Sequence, residues 1–146
     1  MPVTIMIVDD DADDRILFCE AVRQVDDSIL CLQAEGSVTA LDLLKSKKKP
    51  DFIFLDLNMP GINGRQFMRQ LKTMPSVSNI PVIIYTTSTL SSDERELKHL
   101  GADAFFTKPS KLVELKYNIE SVLTGKWEQI KFRPDPYDSE SLRFKV

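Results

Sequence analysis

Short apolar runs alternate with longer stretches of helical periodicity, and this alternation limits the possible fold more than any other feature. The short runs are rich in β-branched and aromatic residues, which is typical of strands. Parallel strands need crossovers long enough to hold a helix, so five strand–helix repeats predict a parallel sheet with helices on both faces. Because crossovers are right-handed, we predict an α/β, doubly wound, flavodoxin-like sheet of order 2-1-3-4-5. The predicted strands are 3–8, 29–34, 52–55, 82–85 and 104–106.

The totals suit a single globular domain, with 146 residues of which 42% are hydrophobic and 28% are charged. A formal net charge of −3 gives the chain no overall attraction for nucleic acid. No apolar run approaches the roughly 20 residues of a membrane-spanning helix, and the N-terminus lacks the pattern of a signal peptide. We therefore expect a cytoplasmic protein that binds neither nucleic acid nor a membrane.

The cysteines and the histidine restrict the metal chemistry that the chain can support. Cys19 and Cys31 lie in apolar contexts, and we interpret them as buried thiols in a reducing compartment, with a disulfide as the less favoured alternative. His99 is the only histidine, which excludes a site built from several histidines of one chain.

Polar side chains follow four of the predicted strands, at the point where each strand ends. Asp9 and Asp10 follow the first strand, Asp56 the third, Thr86 the fourth and Lys108 the fifth. In doubly wound sheets the functional crevice lies outside the carboxyl ends of the strands. The first and third strands are neighbours in the predicted order, so their carboxylates should converge and favour a bound cation. Taken alone, Asp9 and Asp10 fit helix capping and metal binding equally well.

Several oxygen ligands with open positions favour Mg²⁺. Together with a lysine and a hydroxyl, such a site fits phosphoryl transfer to an aspartate. Asp56 is the predicted nucleophile because it stands alone at the tip of the most apolar strand. Plainer interpretations exist for each residue by itself, with Lys108 as a solvated lysine and Thr86 as the end of a strand. Asp11 and Asp14 are interpreted as capping residues of the first helix.

At these residues the sequence resembles the receiver domain of two-component response regulators, including the chemotaxis regulator type. The resemblance extends over about 3–124 and is carried by four segments in order: I-M-I-V-D-D-D, D-F-I-F-L-D-L-N-M-P-G-I-N-G, I-P-V-I-I-Y-T-T-S and G-A-D-A-F-F-T-K-P. It implies a receiver domain over 1–124. The remaining residues, 125–146, are too few for a DNA-binding output domain, so we expect a C-terminal extension without one and a stand-alone response regulator.

The resemblance implies a role for each residue of the predicted site. Asp56 would be the phosphoacceptor. Asp10 would bind Mg²⁺ directly and Asp9 directly or through water, and Mn²⁺ could substitute for Mg²⁺. Lys108 would contact the phosphoryl group, and Thr86 would be a switch hydroxyl that moves towards it.

Four further expectations come from the same resemblance. The backbone carbonyl of Asn58 would be another metal ligand, and Phe105 would be the aromatic residue that rotates on activation. The Lys108–Pro109 peptide bond would be cis. Gly64 would give a flexible backbone to the loop after the acceptor.

The implied function is a Mg²⁺-dependent transfer of a phosphoryl group to Asp56 from a phosphohistidine. The phosphohistidine would belong to a partner histidine kinase or histidine phosphotransfer protein. Phosphorylation would change a protein-binding surface on the fourth helix, fifth strand and fifth helix, which an unidentified downstream protein would recognise. The chain would not be an enzyme for external substrates, since it would catalyse only its own phosphorylation and dephosphorylation. A homodimer through this surface or the C-terminal tail is a further expectation.

Two other functions are compatible with this topology. A Mg²⁺-dependent aspartyl-phosphate phosphatase or hydrolase would carry a D-x-D nucleophile pattern, whereas Asp56 is followed two residues later by Asn58. A flavin- or nucleotide-binding module would need a loop rich in Gly, Ser or Thr after the first strand, where this chain has carboxylates. The phosphatase is kept as the alternative prediction, and turnover of small phosphate esters would distinguish it.

Overall fold

A computed structural model describes residues 3–46, 49–57, 63–87 and 91–125. Its core is a five-stranded parallel sheet of order β2-β1-β3-β4-β5, which confirms the predicted topology. Each strand is followed by a helix. The elements are β1 Thr4–Val8, α1 Ala12–Val25, β2 Leu30–Ala34, α2 Ser37–Leu44, β3 Phe52–Leu55, α3 Gly64–Lys72, β4 Val82–Thr86, α4 Ser91–His99, β5 Ala104–Thr107 and α5 Leu112–Leu123.

Successive residues of each strand point to opposite faces of the sheet, and this divides the core into two layers. Ile5 and Ile7 of β1 face α1 and α5, whose buried residues belong to the same cluster. Met6 and Val8 face the other way, into a cluster that contains residues of α2, α3 and α4. All five β1 residues are buried, as expected of a central strand that is covered on both sides.

Four aromatic rings pack together in the layer below α1 and α5. The centroids of Phe18 and Phe54 are 4.8 Å apart, and those of Phe18 and Tyr85 are 5.6 Å apart. Phe106 completes the group, with its centroid 5.3 Å from Tyr85 and 6.0 Å from Phe54. These tilted and edge-on contacts add to the free energy gained by burying the rings. Three of the rings belong to residues that stand one position before the carboxyl ends of β3, β4 and β5.

The two cysteines form a disulfide between α1 and β2, so the interpretation of Cys19 and Cys31 as buried free thiols is wrong. Both side chains are half-buried rather than buried. Because α1 crosses back over the β1–β2 edge, it brings the two Cα atoms to 5.8 Å, within the usual range for a disulfide. The cysteines therefore give no support to a cytoplasmic location of the protein.

Among the residues that the structure describes, no helix has the length and apolar character needed to cross a membrane.

Candidate functional site

The predicted site residues meet at the carboxyl edge of the sheet because main-chain hydrogen bonds continue the strand ladder beyond the strands. The Asp9 N–H donates to the Ala34 carbonyl at 3.0 Å, and the Asp56 N–H donates to the Val8 carbonyl at 2.9 Å. These bonds fix the two aspartates side by side, on neighbouring strands. Their carboxylates are almost fully buried, with residue exposures of 0% for Asp9 and 4% for Asp56.

Asp9, Asp10 and Asp56 form a cluster whose nearest carboxylate oxygens all lie within 4.8 Å of one another. Asp10 is exposed, so the cluster opens to solvent on its side. Carboxylates this close repel one another, and burial makes each charge costlier. A small divalent cation with oxygen ligands and retained waters would relieve both costs. The cluster therefore fits Mg²⁺, as predicted from the strand ends.

Lys108 places its ammonium at the centre of the site. Its Nζ lies 2.6 Å from Asp9 Oδ2 and 3.6 Å from Asp56 Oδ2, and it donates a third contact of 2.8 Å to Asp14 Oδ2. The main chain holds the lysine in place, since the Lys108 N–H donates to the Thr86 carbonyl at 2.8 Å. The ammonium also lies 5.3 Å from the centroid of the Tyr85 ring, within range of a cation–π contact.

The first turn of α1 closes the site on one side. Asp11 is its N-cap, as predicted, and its carboxylate accepts hydrogen bonds from the N–H groups of Asp13 and Asp14. Arg15 reaches back to the sheet, with Nη1 2.7 Å from the Asp9 carbonyl oxygen. The N–H of Asp11 donates to Asp9 Oδ1 at 2.9 Å, which uses one oxygen of that buried carboxylate.

Burial and hydrogen bonding act in opposite directions on the two central charges of the site, Asp9 and Lys108. Burial raises the pKa of Asp9 above its usual range, although hydrogen bonds from Lys108 and from the Asp11 N–H act in the opposite direction. Burial alone would lower the pKa of Lys108, but hydrogen bonds to Asp14 and Asp9 hold that pKa above its usual range. Burial also raises the pKa of Tyr85 to about 12. The lysine is therefore a permanent cation at neutral pH.

Gly64 is needed for a close approach of two chain segments, which differs from the predicted need for a flexible backbone. It is the first residue of α3, and a Cβ there would lie 3.0 Å from the Leu57 Cα and 3.3 Å from the Asp56 carbonyl oxygen. Its φ is not in the positive region that favours glycine. The start of α3 thus packs directly against the chain at Asp56 and Leu57.

The remaining predicted residues divide into three groups. Thr86 is the last residue of β4 and is fully buried, and it adjoins the site because its carbonyl accepts the Lys108 N–H. Phe105 is 6% exposed and lies in the core layer beside α4. The prediction of a cis Lys108–Pro109 bond is wrong, because the described part of the chain contains no cis peptide bond. Trans is the ordinary state of such a bond, favoured by about 0.5–1 kcal/mol, and Lys108 reaches the carboxylates from it. Asn58 lies outside the described residues.

Two residues of the site were not predicted as such, namely Asp14 and Arg15. Asp14 was assigned to helix capping, but its carboxylate contacts Lys108 instead. Residues three and four positions apart share one face of a helix, so Asp11, Asp14 and Arg15 lie on the same side of α1. Because α1 begins at the carboxyl edge of β1, this spacing was a usable signal that both side chains could reach the site.

The fold and this cluster define a class of protein. Residues 5–120 match the family model of the response regulator receiver domain, and the chain belongs to that family. Receiver domains accept phosphoryl groups in two-component systems, where they interact with histidine kinases or phosphotransfer proteins and with downstream targets.

Individual proteins of the family are similar over most of the chain. PilH of Pseudomonas aeruginosa is 35% identical over 83% of this chain and 98% of its own length. The phosphate regulon transcriptional regulatory protein PhoB of the same organism is 33% identical over 94% of this chain, which spans 56% of PhoB. Among solved structures, the phosphorylated cyanobacterial phytochrome response regulator RcpA superposes with a TM-score of 0.76 at 25% identity. The match covers 88% of this chain and 95% of RcpA.

Proposed function

We propose that the protein receives a phosphoryl group on Asp56, in a reaction that requires Mg²⁺, from a phosphohistidine of a partner histidine kinase or phosphotransfer protein. The observation that carries this proposal is the position of Asp56 between two other carboxylates and the Lys108 ammonium. An acidic cluster alone is common. Here the Lys108 ammonium lies 3.6 Å from Asp56 Oδ2, so the site combines a negative nucleophile with a positive group that can stabilise phosphoryl oxygens.

The chemistry follows from those groups. An oxygen of Asp56 attacks phosphorus, the P–N bond of the phosphohistidine breaks, and the imidazole nitrogen keeps the electron pair. The product is an acyl phosphate, whose oxygens can accept hydrogen bonds from the Lys108 ammonium. Water later attacks phosphorus, which releases inorganic phosphate and restores the carboxylate.

The metal part of the proposal rests on the charges of the site. Asp9, Asp10 and Asp56 would hold the ion, with the Asn58 carbonyl as a further predicted ligand, and Mn²⁺ would be an acceptable substitute. When bound, Mg²⁺ would neutralise the charge that develops on the phosphoryl oxygens. Lys108 supplies one positive charge to a site with four carboxylates, those of the cluster and that of Asp14, which leaves the site attractive to a divalent cation.

The signal would leave the site through neighbouring elements. Thr86 and Phe105 lie on adjacent strands, and Phe105 pairs in register with Ile84, two residues before Thr86. A phosphoryl group adds about −1.5 to −2 charge, which would draw hydroxyl and ammonium groups towards Asp56. We infer that the α4–β5–α5 surface changes as a result and is recognised by an as yet unidentified downstream protein. A homodimer through this surface or the tail stays a prediction, which light scattering with and without a phosphate mimic would test.

We also propose a stand-alone, cytoplasmic role in which the protein catalyses only its own phosphorylation and dephosphorylation. The similarity to PilH, which the chain covers almost completely, supports the stand-alone part. The size of the native product on an immunoblot would test it, since a product much larger than the 146-residue chain would contradict it. Turnover of small phosphate esters would contradict the restriction to self-phosphorylation.

The test of the acceptor is intact mass after incubation with acetyl phosphate. In this reaction the P–O bond to the acetyl group breaks and acetate leaves. Wild type should gain the mass of one phosphoryl group with Mg²⁺ and none with EDTA, and Asp56→Asn should gain none in either condition. Asp42→Asn, which changes an exposed carboxylate of α2, is the matched control and should behave as wild type. Equal labelling of wild type and Asp56→Asn would overturn the assignment.

A further inference from the structure

The Lys108 ammonium is shared unequally among the carboxylates around it. Its Nζ is within hydrogen-bond distance of Asp9 Oδ2 at 2.6 Å and of Asp14 Oδ2 at 2.8 Å, whereas Asp56 Oδ2 lies at 3.6 Å. The lysine side chain is 10% exposed and that of Asp14 is 37% exposed, so Asp14 contacts the lysine from the more exposed side of the site. In the unphosphorylated chain the lysine is therefore held nearer to α1 than to the acceptor.

The position of Asp14 is fixed by groups other than the lysine. Its N–H donates to the N-cap carboxylate of Asp11 at 3.1 Å. The next residue, Arg15, is tied to the Asp9 carbonyl oxygen at 2.7 Å. These contacts anchor the first turn of α1 to the end of β1. The backbone of Asp14 thus has a set place beside the site, from which its carboxylate reaches Lys108.

We propose that Asp14 is a positioning residue that holds Lys108 on the α1 side of the site and competes for its ammonium with a phosphoryl group on Asp56. This inference rests on the proposed function. An ammonium that shifts towards Asp56 to hydrogen-bond phosphoryl oxygens moves away from Asp14 and weakens their ion pair. Because the contact between Asp14 and Lys108 is stronger in the unphosphorylated chain than in the phosphorylated chain, it favours the unphosphorylated chain. Asp14 therefore favours the unphosphorylated chain and lowers the fraction of protein that carries the phosphoryl group.

The test compares four proteins with acetyl phosphate as donor and Mg²⁺ at saturation: wild type, Asp14→Asn, Asp14→Glu and Asp13→Asn. Asp13 is the matched control, because its exposed carboxylate lies in the same helical turn and has the same charge, without the Lys108 contact. Intact mass gives the ratio of phosphorylated to unphosphorylated protein at steady state. Loss of phosphoryl mass after the donor is removed gives the lifetime. Thermal unfolding of each variant accompanies the measurement, so that folded protein is compared with folded protein.

Asp14→Asn should raise the phosphorylated-to-unphosphorylated ratio by about two- to fivefold, which is the range that a part-exposed ion pair supports. Asp14→Glu should stay near the wild-type ratio, since it restores the charge, and Asp13→Asn should leave the ratio unchanged. An unchanged or lower ratio in Asp14→Asn, or the same rise in Asp13→Asn, would overturn the inference. If wild type itself takes up no phosphoryl group, the proposed function fails. If wild type is phosphorylated on Asp56 and the variants match it, only the role of Asp14 fails.

Discussion

Replacing Gly64 by alanine would test how tightly the chain after Asp56 is packed. A Cβ at this position would lie 2.9 Å from Leu57 Cδ2 and 3.0 Å from the Leu57 Cα. Carbon atoms attract one another best at about 3.5–4.0 Å, so these contacts are repulsive. The Leu57 side chain can turn aside, but its Cα belongs to the backbone next to Asp56. Either that backbone or the start of α3 must therefore shift.

The expected cost combines two opposing effects. Forcing an extra methyl group into a packed region costs about 1–3 kcal/mol. Replacing glycine by alanine stabilises the folded protein by about 0.4–1 kcal/mol, because it reduces the conformational freedom of the unfolded chain. We expect the free energy of unfolding of Gly64→Ala to fall by about 1–2 kcal/mol. For a chain of this length, that corresponds to a drop of roughly 2–8 °C in melting temperature.

Urea unfolding followed by far-ultraviolet circular dichroism would measure this cost. The matched control is Gly36→Ala, because a Cβ at Gly36 would meet no atom within 4 Å. Gly36 is the N-cap of α2, a position where alanine is less favourable than glycine. The free energy of unfolding of Gly36→Ala should stay within about 0.5 kcal/mol of wild type, because this loss is offset by the reduced entropy of the unfolded chain. Phosphoryl uptake by Gly64→Ala should also fall, because the shifted backbone adjoins Asp56. A Gly64→Ala protein as stable as wild type would refute the close packing of α3 against Leu57.

Two further predictions concern the stability of the fold rather than phosphoryl transfer. The disulfide between Cys19 and Cys31 closes a short loop, and reducing it should lower the free energy of unfolding by about 2–3 kcal/mol, measured by urea unfolding with and without dithiothreitol. The double variant Cys19→Ser with Cys31→Ser should be insensitive to dithiothreitol, and wild type that shows the same insensitivity would contradict the bond. The pKa of Tyr85 is raised to about 12, so the folded protein favours the neutral phenol. The resulting stabilisation of the fold is complete below the ordinary tyrosine pKa of about 10. It is lost as the pH rises towards 12. Tyr85→Phe should lose less stability than wild type over that range, and an equal loss would refute the role of the phenol.

The order of the sheet could be predicted because it depends on features that the sequence displays directly. Each strand appears as a short apolar run, and each helix appears as apolar residues that recur three or four positions apart. Right-handed crossovers then leave few ways to connect these elements. The same reasoning located Asp9, Asp56 and Lys108, since parallel strands of one sheet end at the same edge. Both the strand order and the position of the site follow from where residues stand along each strand or helix. Neither depends on which side chains contact each other in the folded protein.

The features that were missed depend on pairs of residues that meet only in the folded chain. Asp14 and Lys108 are 94 positions apart, and the local role of Asp14 as first-turn charge was sufficient to explain it. Cys19 and Cys31 have apolar neighbours and so resembled core residues, and their bond depends on how α1 packs across the edge of the sheet. The isomer of the Lys108–Pro109 bond was transferred from the family resemblance rather than inferred from local residues.

Reductive trapping tests most directly the claim that Asp56 carries an acyl phosphate. Borohydride converts a phosphorylated aspartate to homoserine and leaves a free aspartate unchanged, so peptide mass spectrometry identifies the modified position. After treatment with acetyl phosphate and Mg²⁺, we expect homoserine at position 56, and none when Mg²⁺ is withheld. Homoserine at position 9 or 10 with an unchanged Asp56, or phosphoryl mass that borohydride leaves in place, would contradict the account.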